Sequence, residues 1–253
     1  MLITLVAAAL AGLATGIGAV PLLVVERLPR RLYDGVLGMG AGLMLSAATL
    51  GLLGHALEPP TDGGRLAQIV AGLAAGAALM VIADRLVPHM HAAGHPHDEA
   101  HEHVRRGFLL TGAMTLHRLP EGFAIGAAFA AERGSPSGLG ILLTLAVGFQ
   151  NVCEGLVMVA PLRHGGMARW RAAGLVALTG LPVPVAAVAG YLFSQQLGGA
   201  LPFVLALAAG ALITLTSNEI IPETHGHGGE LPATVGIVLG FLITIVLRST
   251  LGH

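Results

Sequence analysis

Two six-residue strings carry the chemistry of this chain: His117-Arg118-Leu119-Pro120-Glu121-Gly122 and, 33 residues on, Gln150-Asn151-Val152-Cys153-Glu154-Gly155, each at the centre of a long apolar stretch. A carboxylate at mid-bilayer costs about 2.5–3.5 kcal/mol on insertion scales, so Glu121 and Glu154 sit there against a penalty and mark a path for something charged. Residues four apart share one face of an α-helix, so His117 with Glu121, and Gln150 with Glu154, each present two donor groups together. Where the two faces meet, one imidazole nitrogen and several oxygens converge. That set suits zinc, cadmium, iron or manganese better than copper(I), which favours thiolates and thioethers. It is less selective than a thiolate cage and can also let go, as transport requires. Pro120 has no N–H for the carbonyl of Leu116, so it should kink the helix and free a backbone acceptor beside the pair. The competing reading, a hydrogen-bonded pair that only joins two helices, leaves unexplained why the second string repeats the same spacing.

The elements that must position these residues follow from apolar runs of about 20 residues, the length that crosses the hydrocarbon core. There are eight, near 2–25, 36–57, 66–87, 107–131, 138–161, 172–194, 200–221 and 232–251, which makes the chain an all-α polytopic membrane protein of eight transmembrane helices. Composition agrees: 54% of the 253 residues are hydrophobic and 11% charged, with 37 glycines, and mean hydropathy is +0.78. This is the balance of lipid-embedded helices packed through small side chains, and it leaves no room for a separate soluble domain. We read one transmembrane domain over 1–253. The first run lacks a basic start and is too long for a signal peptide, so it is expected to stay as a span. No basic face exists for nucleic acid. The single Cys153 excludes an intramolecular disulfide.

All 13 basic residues are arginine. Nine of them (Arg27, Arg30, Arg31, Arg85, Arg105, Arg106, Arg163, Arg169, Arg171) fall in alternate connections on one side, three (Arg65, Arg133, Arg248) on the other, and Arg118 inside a span. The bias puts the first side in the cytoplasm and both termini outside, facing the periplasm or the cell exterior. It also puts the His-rich loop 89–105 inside. That loop holds His89, His91, His95, His97, His101 and His103 among Asp98, Glu99 and Glu102, and His225 and His227 lie on the same side. Without cysteines or fixed spacing, these imidazoles suit metal buffering or regulation at the cytoplasmic mouth better than a structural finger.

The pairing of H-x-x-P-E-G with Q-N-x-x-E-G resembles the ZIP (Zrt/Irt-like) family of divalent-metal transporters, and within it the bacterial GufA-type members. Gly42-Leu43-Met44-Leu45-Ser46-Ala47-Ala48, Asp84-Arg85-Leu86-Val87-Pro88-His89, Ala160-Pro161-Leu162-Arg163 and Asn218-Glu219-Ile220-Ile221-Pro222-Glu223 resemble it too. The resemblance implies an inverted-repeat bundle, with spans one to three related to six to eight and a moving unit that contains spans four and five. It makes His117, Glu121, Gln150 and Glu154 the ligands of the transported ion, with Met44 as a thioether candidate. Asp84, His89, Glu219 and Glu223 fall near the inner mouth, where they could pass the ion on.

The chain departs from the family pattern in ways that bear on stoichiometry. Many members build a second metal site with an Asn after the span-four His and a Glu in span six. Arg118 replaces that Asn, Val183 stands where the Glu would be, and Asn151 is the surviving candidate ligand. Three residues before Glu121 and always protonated, Arg118 is placed to pair with it and to repel a second dication. One transported metal is therefore expected, with Arg118 as the electrostatic substitute for the other. Cys153 replaces the family's usual proline and is read as packing. Gly72 and Gly76, and Gly236 and Gly240, have the spacing for close helix contacts.

The expected partners are divalent metal ions as substrate and the lipid bilayer, without an organic cofactor; a homodimer stays open. An intramembrane metalloenzyme, or a metal-sensing membrane protein, would also hold His and Glu on a metal at mid-bilayer. The first lacks an H-E-x-x-H pair and the second an output domain, so the chain is not read as an enzyme.

Overall fold

The structure is a computed structural model. It describes every residue except 25–27, 59–61, 87–98, 133–137, 165, 226–229 and 252–253; side chains are also left undescribed at 84, 86, 99–111, 113, 114, 161 and 164.

Every regular element among the described residues is helical. Among the described residues eight helices follow one another: α1 (Leu2–Val24), α2 (Arg30–Ala56), α3 (Gly63–Leu86), α4 (Glu99–Ala131), α5 (Leu139–His164), α6 (Arg169–Gln196), α7 (Gly198–His225) and α8 (Glu230–Leu251). Seven of them, all but α4, are long and apolar enough to cross a membrane. At 33 residues α4 has ample length, about 50 Å at 1.5 Å per residue, but His117, Arg118, Pro120 and Glu121 dilute its apolar centre.

Helix α4 also begins well before the expected start near 107, so the last part of the His-rich stretch is helical. No Gly or Pro interrupts 99–106, and Ala, Glu and Arg there favour helix, whereas an apolar-run criterion sees only the portion at lipid depth.

Several helices are irregular. Helix α1 breaks at Val20, ahead of Pro21. Helix α6 is two pieces, Arg169–Leu178 and Pro182–Gln196; Pro182 and Pro184 have no N–H to continue a ladder across the gap. Helices α2 and α7 each carry a π-helical segment, Ala47–Leu53 and Thr216–Ile220. The loops are tied to the helices they lead into. Asp62 Oδ1 accepts from Arg65 N at 2.7 Å at the start of α3, and the Glu132 carboxylate accepts from Leu139 N and Gly140 N at the start of α5.

The helices associate in four intimate pairs: α2 with α8, α3 with α7, α4 with α6, and α1 with α5. In each pair the close approach is reciprocal, a glycine of either helix lying on a backbone carbonyl of the other. Gly42 meets Ile237 and Gly240 meets Met39; Gly76 meets Leu207 and Gly210 meets Leu73; Gly126 meets Ala187 and Gly190 meets Phe123; Gly18 meets Val152 and Gly155 meets Thr15. A Cβ at any of these would run into backbone that cannot step aside. The contacts replace the missing hydrophobic drive between helices in lipid with dense packing and Cα–H···O contacts. Gly72, Gly76, Gly236 and Gly240 all lie in such interfaces, as their spacing indicated. Leu10, Ile17, Val70, Leu79, Val185, Leu239 and Val246 point outward, and α2 and α5 are the most enclosed of the seven apolar spans.

Candidate metal centre

Both strings lie where helices converge. Glu121 follows Arg118 by one turn of α4, and Gln150, Asn151 and Glu154 lie midway along α5. Arg118, Glu121, Gln150 and Asn151 are fully buried, and Glu154 is 4% exposed. Burial of that much charge is tolerated only if it is internally compensated.

The compensation comes from Arg118. Its Nη1 lies 3.2 Å from Glu121 Oε2 and its Nη2 3.0 Å from Glu154 Oε2, so one guanidinium spans the two carboxylates across the α4–α5 interface. Nη1 also donates to Asn151 Oδ1. On the other side of the same carboxylates, Gln150 Nε2 donates to Glu121 Oε1 at 2.8 Å and to Glu154 Oε1 at 2.9 Å. Carboxylates only accept, so the amide nitrogen must face them. Gln150 Oε1 is left buried and accepts no hydrogen bond. Each carboxylate is thus held between a guanidinium and an amide; Gln150 Oε1 and Glu154 Oε2 are the buried oxygens of the cluster that accept no hydrogen bond, and Glu154 Oε2 has the Arg118 ion pair in its place.

His117 is turned elsewhere. Its Nε2 lies 2.6 Å from Glu219 Oε2, which ties α4 to the π-helical segment of α7. The structure therefore brings Glu121, Gln150 and Glu154 together with Arg118, and pairs His117 with Glu219. Among the described residues, no group of three or more His, Cys, Asp or Glu gathers around one point.

The remaining candidates fall around this cluster. Asn151 has both ends of its amide engaged, with Nδ2 donating to the Ala11 carbonyl of α1 at 2.8 Å. Met44, 2% exposed, lies below the π segment of α2 with its sulfur 2.6 Å from Thr216 Oγ1; that hydroxyl also lies 2.8 Å from Leu212 O. Cys153 is buried, and a Cβ built on Gly40 of α2 would lie 3.7 Å from both Cys153 Cβ and Gln150 Cγ. Val183 is buried against α4, its carbonyl facing Gly122. Glu223 is exposed near the end of α7. His89, His91, His95, His97 and His227 lie outside the described residues, as do the side chains of Asp84, His101 and His103.

Sequence reasoning missed the Ala11 carbonyl, which carries no side-chain signal, and Thr216. It also assigned Glu219 to the inner mouth without linking it to His117. The T-S-N-E-I run, polar within an apolar helix, was the available cue. Asp34 was missed too: it is fully buried near the start of α2, with Arg30 Nε 3.5 Å from its Oδ1. Its spacing of four from Arg30 would have found it.

Comparison with known proteins places the chain in a family. Residues 88–248, which span α4 to α8 and hold both strings, match the ZIP zinc transporter family. The zinc transporter GufA of Myxococcus xanthus is 39% identical over 98% of this chain and 98% of its own length. The zinc transporter ZIPB of Bordetella bronchiseptica is 37% identical over 94% of this chain and 78% of its own length. Human zinc transporter ZIP11 is 28% identical over 94% of each. On these matches over nearly its whole length, the chain belongs to the ZIP family of metal transporters.

Proposed function

We propose that the chain carries a divalent cation, zinc first among zinc, cadmium, iron and manganese, into the cytoplasm across a bacterial inner membrane. The ion binds once, midway through the bundle, to His117, Glu121, Gln150 and Glu154. The observation that carries this reading is the fully buried Arg118 guanidinium between Glu121 and Glu154. Two carboxylates and one guanidinium sum to a single negative charge. One dication raises this to a net single positive charge; a second would leave three in a site that excludes water, where uncompensated charge is strongly destabilising. Arg118 therefore stands in for the second metal.

Two local rearrangements load the site. The Gln150 amide turns over, exchanging its donor contacts for ligation through Oε1, and His117 leaves Glu219 for the ion that Glu121 and Glu154 hold. Glu219 can take His117 back as the ion departs toward the inner mouth, to which the sequence assigns Asp84, Glu223 and the His-rich loop. Met44 reaches the ion only if its contact with Thr216 opens.

The pairing of helices supports an inverted repeat in which α1, α2 and α3 correspond to α6, α7 and α8, and α4 to α5. That operation turns the α2–α8 pair into α7–α3 and the α4–α6 pair into α5–α1. It also matches the π segment of α2 with that of α7. In this arrangement α4 completes an eight-span bundle with both termini outside.

Uptake of zinc or cadmium into proteoliposomes tests the reading. Wild-type chain should show saturable flux, and Glu154→Ala and His117→Ala should abolish it. Metal-dependent proteolysis without flux would overturn it in favour of an intramembrane metalloenzyme.

A further inference from the structure

Asn151 offers an acceptor with a fixed direction. The Ala11 carbonyl can only accept, so the amide NH2 must face α1; the Arg118 guanidinium can only donate, so the amide oxygen must face α4. The two neighbours demand the same orientation. Ala11 cannot drift from Asn151, because the α1–α5 interface is closed beside it by Gly18 on the Val152 carbonyl and Gly155 on the Thr15 carbonyl. Oδ1 is thus held toward Arg118 by backbone packing.

Arg118 has three acceptors: Glu121, Glu154 and Asn151. A dication bound between the carboxylates takes the first two. A guanidinium that is 0% exposed cannot turn to water, and leaving it without acceptors would oppose metal binding directly. Asn151 is the acceptor that the metal does not claim. We propose that Asn151 is a positioning residue that retains Arg118 when the carboxylates pass to the transported ion, so that the ion displaces an internal cation into a prepared contact. The proposal rests on the single-metal reading above and assigns Asn151 to Arg118, not to the metal.

The test is the KM for zinc uptake in proteoliposomes for wild type, Asn151→Ala, Asn151→Asp, Arg118→Gln and the Asn151→Ala/Arg118→Gln pair. Loss of an acceptor from a charged donor predicts a KM about tenfold higher in Asn151→Ala. Asp keeps the acceptor, so Asn151→Asp should stay within about threefold of wild type. Without the guanidinium there is nothing to retain, so adding Asn151→Ala to Arg118→Gln should change KM by less than about twofold. If Asn151 were a metal ligand, its loss would cost as much in the Arg118→Gln background as in wild type. If it only fastened α1 to α5, Asn151→Asp, which cannot donate to Ala11, would fail as badly as Asn151→Ala. Either result overturns the proposal. Zinc stoichiometry of Arg118→Gln reports separately on the reading beneath. One ion where two are expected sinks that reading and this proposal together, whereas two ions with a failed cycle sinks the proposal alone.

Discussion

Replacing Arg118 by Met preserves most of the side-chain volume but removes the charge that holds Glu121 and Glu154 together. Both carboxylates are essentially inaccessible to water, and each loses its contact at 3.2 or 3.0 Å. Removing one member of a buried ionic network costs about 3–5 kcal/mol. For a chain of this size each kcal/mol is about 2–4 °C, so the metal-free variant should melt about 10 °C below wild type. Zinc then does for the variant what the guanidinium does for wild type. At a hundredfold excess over its Kd it should return about 2.7 kcal/mol, and the zinc-induced shift should exceed that of wild type, where the ion must first displace Arg118. Cys153 supplies the assay. It is the only thiol and is 4% exposed, so a thiol-reactive fluorophore reports unfolding of detergent-solubilised protein in EDTA and in zinc without labelling the native state. A metal-free melting point within about 2 °C of wild type, or equal zinc shifts in the two proteins, would refute the claim that Arg118 neutralises this pair.

Three further substitutions probe other parts of the account. Gly126→Val drives a side chain into the Ala187 backbone of α6 and should destabilise by at least about 1–3 kcal/mol, read by the same melting assay; a neutral result would mean α4 and α6 are not closed as described. Glu219→Gln weakens the hold on His117; the ion should bind more tightly and leave more slowly, lowering both KM and maximal rate of zinc uptake about fivefold, and an unchanged KM would dissociate Glu219 from the site. Arg248 Nη1 donates to the Leu50 carbonyl inside the π segment of α2 at 2.6 Å, so Arg248→Leu should lower stability by about 1.5–3 kcal/mol, and a melting point equal to wild type would show that carbonyl to be satisfied otherwise.

The helices were readable because lipid demands long apolar runs, and among the described residues each expected run has a helix over most of its length, seven of these helices being long and apolar enough to cross a membrane. Their irregularities were not. A π segment such as Thr216–Ile220 needs no distinctive composition, and the break in α6 rests on how Pro182 and Pro184 meet Gly180, which packs on the Gly12 carbonyl of α1. In the candidate site, local spacing carried the reading. Arg118 with Glu121, and Gln150 with Glu154, are contacts within one helix, so a helical wheel finds them. That Arg118 also reaches Glu154 follows once α4 and α5 are neighbours. The partner of His117 lies on α7, far away in sequence, and only the tertiary arrangement supplies it. Asn151 illustrates the same limit. Its residue type fits a metal ligand, yet a backbone carbonyl and a guanidinium, neither implied by the residue itself, occupy both ends of its amide.

The most direct test of the central claim is anomalous diffraction from crystals of the wild-type chain soaked in cadmium. The account predicts one peak per chain among the carboxylates, with His117, Glu121, Gln150 and Glu154 as ligands, and a second adjacent peak only in Arg118→Asn. Two cadmium ions bridged by Glu121 and Glu154 in the wild-type chain would contradict it.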